Sequence, residues 1–250
     1  MEIKRNEEFV YGINSIETIL SSRPLSIKNL YILNSKKNSR IKSLTHKAKT
    51  VGIKVLLKES KFFDKHFVNK NHQGAAAVCE EKEEENEVFL EKLLDKEFLL
   101  ILILDQLTDP HNVGACLRSA AAANADAVIV PKNRSCHLNA TVRKTSSGGS
   151  ELIPFIIVTN LVRTFKRIKS KGIEILGAES SATTNYSKVN LGKKVAFVIG
   201  SEDKGLRKLT KENCDKLIKI DMPGKMESLN TSVCAGILLF EYVRKNKSYV

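Results

Sequence analysis

The sequence has no hydrophobic run long enough to cross a membrane. Its longest apolar run, residues 98–104, is far shorter than the roughly 20 residues that a membrane-spanning helix needs. Residues 1–5, MEIKR, contain neither the apolar core nor the cleavage site of a secretory signal peptide. These absences predict a soluble protein of the cytoplasm.

The cysteines form no recognisable metal-binding or disulfide pattern. There are five of them, an odd number, without a Cys-x-x-Cys pair or a Cys/His spacing typical of metal ligands. Three lie in apolar or alanine-rich segments, where a buried reduced thiol is the usual state. We therefore expect no metal site. We also expect the protein to lie in a reducing compartment and its cysteines to be free thiols: Cys79, Cys116, Cys136, Cys214 and Cys234.

Common nucleotide-binding motifs are also absent. The sequence contains no Gly-x-Gly-x-x-Gly, no P-loop with its lysine and no His-Glu-x-x-His, so dinucleotide, nucleoside triphosphate and zinc sites lose support. What the sequence does have is positive charge, because 41 Lys and Arg against 28 Asp and Glu give a net charge of +13. A polyanionic partner such as a nucleic acid is therefore favoured.

The charge is distributed unevenly along the 250 residues. The balance is +9 over residues 1–79, −6 over residues 80–97 and +10 over the remainder. The acidic stretch begins EEKEEENE, without apolar residues, which is typical of a solvated linker. Apolar residues make up 42% of the chain, enough for a core on either side. We predict a domain over 1–80, an acidic linker over 81–97 and a second domain over 98–250.

Apolar periodicity predicts an α/β fold in both domains. For the first domain it indicates helices at 13–20 and 40–51 and strands at 30–33, 53–57 and 75–79. For the second domain it indicates strands at 99–104, 127–130, 173–176, 195–199 and 217–220. The continuous run 99–104 is typical of a parallel strand covered on both faces. Repeated βα units predict a largely parallel sheet with helices on both sides.

Polar clusters follow three strands of the second domain, at Asp109/Asn112/Arg118, at 200–206 and at 224–232. Ligand sites of open α/β sheets gather at the carboxyl ends of the strands. Asn112 can cap a helix that runs through the alanine-rich stretch, and Ser228 or Asn230 can cap another. Taken alone, each cluster is better explained by an ordinary loop or helix cap.

Together the three clusters resemble the SpoU branch of the SPOUT RNA 2′-O-methyltransferases. The matching segments are DPHNVGACLRSA (109–120), IGSEDKGL (199–206) and IDMPGKMESLNTSVCAGILLFE (220–241), in the family's order and spacing. YGINSIE (11–17) and LNAT (138–141) are also similar to the bacterial members that methylate a guanosine of large-subunit rRNA. The resemblance covers nearly all of residues 99–245.

The resemblance implies a fold, a reaction and partners. The second domain is expected to be an α/β-knot, a trefoil knot in which the C-terminal chain threads through a loop. The first is expected to be an α/β RNA-binding domain similar to ribosomal proteins of the L30e/L7Ae type. The implied reaction is S-adenosylmethionine-dependent 2′-O-methylation of a guanosine in large-subunit (23S) rRNA. The implied assembly is a homodimer through the C-terminal domain.

The resemblance also implies site residues. The catalytic set is Arg118, Asn112, Glu202, Ser228 and Asn230. Main-chain contacts to the cofactor and apolar cover of its adenine fall to Gly200, Ile220, Met222 and Leu229. The family commonly has Ile-Pro-Met where this sequence has Ile-Asp-Met followed by proline.

Arg118 matches the family's proposed catalytic residue, and two roles stay open for it. Because a guanidinium has a pKa above about 12, it is either an unusual base or a cation that pairs with phosphate and favours ionisation of the hydroxyl. Asn112 is expected to hold Arg118 and polar atoms of the substrate. Glu202 is expected to pair with Arg118 or to position the nucleotide. Ser228 and Asn230 offer hydroxyl and amide groups to the ribose or phosphate.

Two other functions remain open. The chain is alternatively a tRNA or other rRNA 2′-O-methyltransferase, although the family's minimal tRNA enzymes usually lack an N-terminal domain. It is alternatively a non-catalytic RNA-binding assembly factor, although the complete set of catalytic residues argues against that. The basic helix at 40–51 is either an RNA-docking surface or a solvated face.

Overall fold

The computed structural model describes residues 6–35, 38–68, 71–226 and 228–246. The chain divides into two compact units, with the boundary between Glu83 and Glu84. Both units combine strands and helices, which confirms the predicted α/β class.

The described part of the first unit is a mixed β-sheet with helices. In chain order its elements are β1 (Glu7–Tyr11), α1 (Ile13–Ser22), a 3₁₀ helix (Pro24–Ser26), β2 (Ile27–Leu33), α2 (Ser39–Thr50), β3 (Val55–Lys58), α3 (Ser60–His66) and β4 (Ala75–Glu80). The strand order is β1-β4-β2-β3, in which β4 is antiparallel to both neighbours and β2 is parallel to β3. The predicted helices and strands are present, and β1 and α3 are additional.

The two faces of this sheet pack different residues. Leu30 and Ile32 of β2 join an aliphatic cluster with α1 and α2, whereas Tyr31 joins an aromatic cluster with Phe63 and Phe67. This separation follows from the two-residue period of a strand, which points successive side chains to opposite faces. The sheet is therefore covered on both sides.

The described part of the second unit is a parallel sheet with helices. Its elements are α4 (Glu87–Leu94), β5 (Leu99–Asp105), α5 (Pro110–Ala122), β6 (Ala127–Pro131), α6 (Ala140–Thr145), α7 (Gly149–Leu152), β7 (Phe155–Val158), α8 (Leu161–Ser170), β8 (Glu174–Ala178), β9 (Thr184–Asn185), a 3₁₀ helix (Tyr186–Lys188), β10 (Lys194–Gly200), α9 (Lys208–Asn213), β11 (Lys216–Lys219) and α10 (Thr231–Lys245). The strand order is β7-β6-β5-β10-β8-β11-β9, and every neighbouring pair is parallel. The predicted parallel sheet is confirmed, with β7 and the short β9 as additional strands.

Strand β5 lies in the middle of the core and is buried along its whole length. Leu100 and Leu102 belong to the cluster formed with α5 and α10, and Ile101 and Ile103 to the cluster formed with α4 and α8. Because both faces are covered, no position of the strand favours a polar side chain until its last residue. This burial explains the uninterrupted apolar run of the sequence.

Strand β11 is inserted between two strands that follow one another in the chain. It pairs with β8 on one side and with β9 on the other. Residues 179–193 therefore pass across β11 on the way out to β9 and again on the return to β10.

Residues 84–97, predicted to be part of a linker over 81–97, belong to the second unit. The Glu84 carboxylate accepts a hydrogen bond from the backbone N–H of Leu138 (2.7 Å), and Glu85 bonds through its backbone to Phe155 and Ile157 (both 2.8 Å). Helix α4 then buries three leucines in the core of the second unit. The acidic side chains have partners there, and the apolar spacing of α4 gives it a face to bury.

Candidate active site at the carboxyl edge of the parallel sheet

Asp109 caps helix α5. Its carboxylate accepts hydrogen bonds from the backbone N–H groups of His111 (3.2 Å) and Asn112 (3.1 Å), and Pro110 occupies the first helical position. The prediction that Asn112 caps this helix is wrong, because the Asp-Pro pair supplies both residues that a helix start favours. The side chain of Asn112 is therefore available to reach other segments.

Asn230 caps helix α10. Its Oδ1 accepts hydrogen bonds from the backbone N–H of Ser232 (2.9 Å) and from the Ser232 hydroxyl (2.6 Å). This confirms one of the two predicted caps. Since Oδ1 is used by the helix, the amide Nδ2 of Asn230 is left to point elsewhere.

Three of the predicted catalytic residues form one hydrogen-bonded cluster. The amide Nδ2 of Asn112 donates to Oε1 of Glu202 (3.1 Å), and Nδ2 of Asn230 donates to Oδ1 of Asn112 (2.9 Å) and to Oε1 of Glu202 (2.5 Å). The backbone N–H of Thr231 also donates to Oε1 of Glu202 (3.2 Å). One carboxylate oxygen thus joins the starts of α5 and α10, and Oε2 makes no hydrogen bond within the described residues.

A tight turn after β10 presents Glu202 to this cluster. The backbone N–H of Gly205 donates to the carbonyl of Ser201 (2.8 Å), and Gly205 has a φ of +61°. A Cβ added to Gly200 would lie 2.1 Å from the carbonyl carbon of Gly205 and 2.4 Å from the backbone N of Leu206. Both are backbone atoms that cannot move aside, so only glycine fits at 200.

A buried carboxylate anchors the end of the turn. Asp105, the last residue of β5, has no exposed surface. Its Oδ2 accepts hydrogen bonds from the Thr210 hydroxyl (2.7 Å) and the backbone N–H of Arg207 (3.2 Å), and its Oδ1 lies 2.6 Å from the guanidinium of Arg207. Asp105 lies outside the three motifs that predicted the site, although a carboxylate that ends a wholly apolar strand is a usable signal in the sequence.

A cavity of about 330 Å³ lies at the carboxyl ends of β8, β10 and β11. Among the residues that line it are Gly200, Ile220, Met222, Leu229 and Ser228, all predicted for the site. Met222 lines the cavity even though proline follows it rather than precedes it. Glu202 also lines it, whereas Asn112 and Asn230 do not. Glu202 therefore connects the cavity to the amide cluster.

Arg118 lies apart from Glu202. It is exposed on α5, and its guanidinium makes no ion pair or hydrogen bond with the described residues. The predicted Glu202–Arg118 pair is therefore not formed within the chain, and the alternative prediction that Glu202 positions the nucleotide stays open. Arg118 follows Asn112 by six helical positions, which is about 9 Å along the axis and about 240° around it. A carboxylate that bonds Asn112 does not reach that face.

Two thiols close to the site stay protonated. Burial raises the pKa of Cys234, which lines the cavity, to about 11, and burial raises the pKa of Cys116 to about 12. A nucleophilic cysteine needs its thiolate form near neutral pH. The site therefore offers hydroxyl, amide and carboxylate groups rather than a reactive thiol.

Among the described residues, no group of three or more His, Cys, Asp or Glu side chains is arranged to hold a metal ion. In the same ranges, no helix combines the length and the apolar character that crossing a membrane requires.

Two family models match the chain. The SpoU rRNA Methylase family matches residues 99–240, and the RNA 2′-O ribose methyltransferase substrate binding family matches residues 9–85. The first range lies within the second unit, and the second range lies almost entirely within the first unit.

Relatives align along nearly the whole chain. RlmB of Coxiella burnetii, a 23S rRNA (guanosine-2′-O-)-methyltransferase, is 43% identical over 241 residues, which cover 96% of each chain. RlmB of Escherichia coli K12 is 41% identical and covers 95% of this chain and 98% of its own.

Solved structures share the fold. The crystal structure of an RNA 2′-O ribose methyltransferase has a TM-score of 0.81 at 26% identity, covering 97% of this chain and 90% of that one. The SpoU methyltransferase AviRb of Streptomyces viridochromogenes, in complex with AdoMet, has a TM-score of 0.79 at 21% identity, covering 97% and 92%. With one family model over more than half of its length and full-length relatives above 40% identity, the chain belongs to the SpoU rRNA methylase family.

Proposed function

We propose that this chain transfers a methyl group from S-adenosylmethionine to the ribose 2′-hydroxyl of a guanosine in 23S rRNA. One observation carries the proposal: the alignment at 41–43% identity with 23S rRNA (guanosine-2′-O-)-methyltransferases runs through both units. The similarity is therefore not limited to the catalytic unit, which related enzymes share across different RNA substrates. Because ribosomes are assembled in the cytoplasm, we expect the protein to act there.

The residues around the cavity fit S-adenosylmethionine. Ile220 and Leu229 offer apolar surface to an adenine ring, and Gly200 lets the backbone of Gly205 pack against the end of β10 and so shapes the cavity wall. We assign cofactor binding to these three residues and Met222. When bound, the cofactor supplies a methyl group on a cationic sulfur, which is the activated group of the reaction.

The amide and carboxylate cluster is proposed to orient the receiving hydroxyl. A displacement at a methyl group needs the attacking oxygen in line with the bond that breaks, so positioning is the main contribution of the protein. Oε1 of Glu202 is held by Asn112 and Asn230, while Oε2 is left to accept a hydrogen bond from the ribose of the target guanosine. The hydroxyl of Ser228, on the cavity wall, supplies a further polar contact.

Arg118 is proposed to act as a cation rather than as a base. Its guanidinium is exposed and makes no ion pair or hydrogen bond among the described residues, so its charge is available to the substrate. A charged guanidinium binds phosphate in a bidentate manner. Paired with the RNA backbone, Arg118 holds the target ribose and favours negative charge on its 2′-oxygen during transfer.

The first unit is proposed to recognise the RNA. The matching substrate-binding family covers residues 9–85, and α2 exposes the side chains of Lys42, Lys47 and Lys49. Basic side chains of this kind neutralise RNA phosphates. We keep residues 1–80 as the RNA-binding domain and extend the catalytic domain, predicted over 98–250, back to Glu84, where the second unit begins. The helices on both faces of the mixed sheet also support the proposed likeness to ribosomal proteins.

The catalytic unit is further proposed to be knotted and to form a homodimer. The insertion of β11 between β8 and β9 supports a path in which the C-terminal chain threads a loop. Val233 and Phe240, seven positions apart on one face of α10, are each 48% exposed, which suits an association surface. Sedimentation of the purified chain tests the dimer, since a monomer at micromolar concentration contradicts it.

Transfer of labelled methyl groups tests the function directly. The protein is incubated with labelled S-adenosylmethionine and with rRNA or tRNA that lacks the modification, and the methylated positions are mapped. We expect a single 2′-O-methylguanosine in 23S rRNA, and no incorporation by the Arg118→Ala variant under the same conditions. Methylation of tRNA alone would replace the proposed substrate, and cofactor binding without transfer to any RNA would indicate a non-catalytic assembly factor.

A further inference from the structure

Glu179 is an enclosed carboxylate at the cavity that none of the family motifs includes. It directly follows β8 and lines the cavity, and its side chain is 12% exposed. Its backbone N–H donates to the carbonyl of Ile218 (2.9 Å), which continues the pairing of β8 with β11 by one residue. The position of Glu179 is therefore set by the sheet rather than by a free loop.

Glu179 is the most enclosed of the charged residues that line the cavity. The other charged residues are Glu202, Asp203, Lys204 and Lys219. The first three are exposed on the turn after β10, and the side chain of Lys219 is 34% exposed and faces Asp221. An enclosed charge requires partners, because desolvation disfavours an isolated carboxylate.

The carboxylate of Glu179 can accept more hydrogen bonds than its partners in the chain donate to it. Nζ of Lys211 lies 2.6 Å from Oε2, which is buried. Oε1 accepts one long hydrogen bond, from the Ser181 hydroxyl at 3.3 Å. Each carboxylate oxygen accepts about two hydrogen bonds, so Oε1 can accept another from a ligand while Lys211 holds the far side of the group.

We propose that Oε1 of Glu179 binds the ribose hydroxyls of the adenosine part of S-adenosylmethionine, an inference that rests on the proposed function. A carboxylate near the carboxyl end of a parallel strand binds a ribose diol in the same way in dinucleotide-binding folds. A neutral hydroxyl suits this carboxylate better than the ammonium group of the cofactor. Lys211 already compensates the charge of Glu179, and a second cation beside it would be repelled.

The test compares two ligands in direct binding. The full chain is titrated calorimetrically with S-adenosylhomocysteine and with its 2′,3′-dideoxy analogue, so that no catalysis is involved. The variants are Glu179→Ala, the size-matched Glu179→Gln and the control Asp203→Asn, which changes an exposed carboxylate on the same cavity. Thermal melting of each variant confirms that it is folded before its affinity is measured.

We expect the unsubstituted chain to prefer the ligand with both hydroxyls by roughly ten- to hundredfold, the range for hydrogen bonds to a charged group. Glu179→Ala is expected to lose most of that preference by weakening only the hydroxylated ligand, and Asp203→Asn to keep it. A preference that survives in both Glu179 variants would overturn the inference, as would an equal loss for both ligands, which indicates a structural role. If the unsubstituted chain bound neither ligand, the proposed function itself would fall.

Discussion

The ion pair between Asp105 and Arg207 leads to an asymmetric prediction. Asp105 has no exposed surface, whereas the side chain of Arg207 is 40% exposed. Loss of the guanidinium leaves a buried carboxylate without its cation, while loss of the carboxylate leaves an arginine that can turn toward solvent. We therefore expect Arg207→Gln to destabilise the second unit more than Asp105→Asn.

The contacts set the size of each effect. Asp105→Asn keeps one accepting oxygen for three donors and loses the charge, and bonds to charged groups contribute about 1.5–3 kcal/mol each. Because Arg207 is partly exposed and its charge is screened by solvent, we expect Asp105→Asn to lower the free energy of unfolding by about 2 kcal/mol. Removing one partner of a buried pair costs about 3–5 kcal/mol. We expect about 3 kcal/mol for Arg207→Gln, because the bonds from Thr210 and the backbone remain. At roughly 2–4 °C per kcal/mol, the melting temperature is expected to fall by about 4–8 °C in Asp105→Asn and by about 6–12 °C in Arg207→Gln.

Thermal melts and urea titrations of the full chain measure these losses, with the double variant as the control. The double variant contains neither charge, so its loss should lie close to that of Asp105→Asn and below the sum of the two single losses. An Arg207→Gln variant as stable as Asp105→Asn, or more stable, would refute the argument from burial. Strict additivity in the double variant would show that the two side chains do not interact.

Four further predictions concern the site and the two units. Arg118→Lys should retain part of the transfer rate while Arg118→Ala loses it, in single-turnover assays, if the residue acts through its charge; equal loss in both contradicts that role. Gly200→Ala should weaken S-adenosylmethionine at least tenfold in calorimetry, because its Cβ meets backbone at 2.1 Å. Hydrogen bonds from the backbone and hydroxyl of Thr159 lower the pKa of Glu87, so its stabilising effect is present above the unfolded pKa and disappears as pH falls through the folded pKa. Glu87→Gln should accordingly cost stability in urea titrations near pH 7, and this cost should shrink steadily as the pH is lowered below the unfolded pKa of glutamate. Deletion of 1–80 should raise the Kd for rRNA at fixed salt and leave the Kd for S-adenosylmethionine unchanged.

The parts of the fold that could be predicted are those in which local sequence and tertiary environment agree. Strand β5 was predictable because burial on both faces requires an unbroken apolar run. Strand β9 was not, because Thr184 and Asn185 are strand residues only through their pairing with β11. The start of the second unit was missed for a related reason. The acidic residues from Glu84 onward have polar partners that lie more than 50 positions later in the chain.

The family motifs predicted where the site lies but not which of its side chains form hydrogen bonds with one another. The motifs placed Asn112, Glu202 and Asn230 at one edge of the sheet, and the structure brings all three into contact. Which partners they take depends on long-range geometry that spacing does not contain. Asp105 and Glu179 were overlooked for the same reason, since each acquires its cation, Arg207 or Lys211, only in the folded chain.

The segment from Gly200 to Arg207 connects the two sides of the proposed reaction. It forms part of the cavity wall and also presents Glu202 to the amide cluster. It is fixed at its tip by Glu202, within itself by the Ser201–Gly205 turn, and at its end by Asp105. Because a misplacement of about 1 Å at a reacting group can cost about a hundredfold in rate, loosening the Asp105 end should slow methyl transfer even in molecules that remain folded. The loss of activity in Asp105→Asn is therefore expected to exceed the fraction unfolded at the assay temperature, and activity that simply follows the folded fraction would show that the anchor serves stability alone.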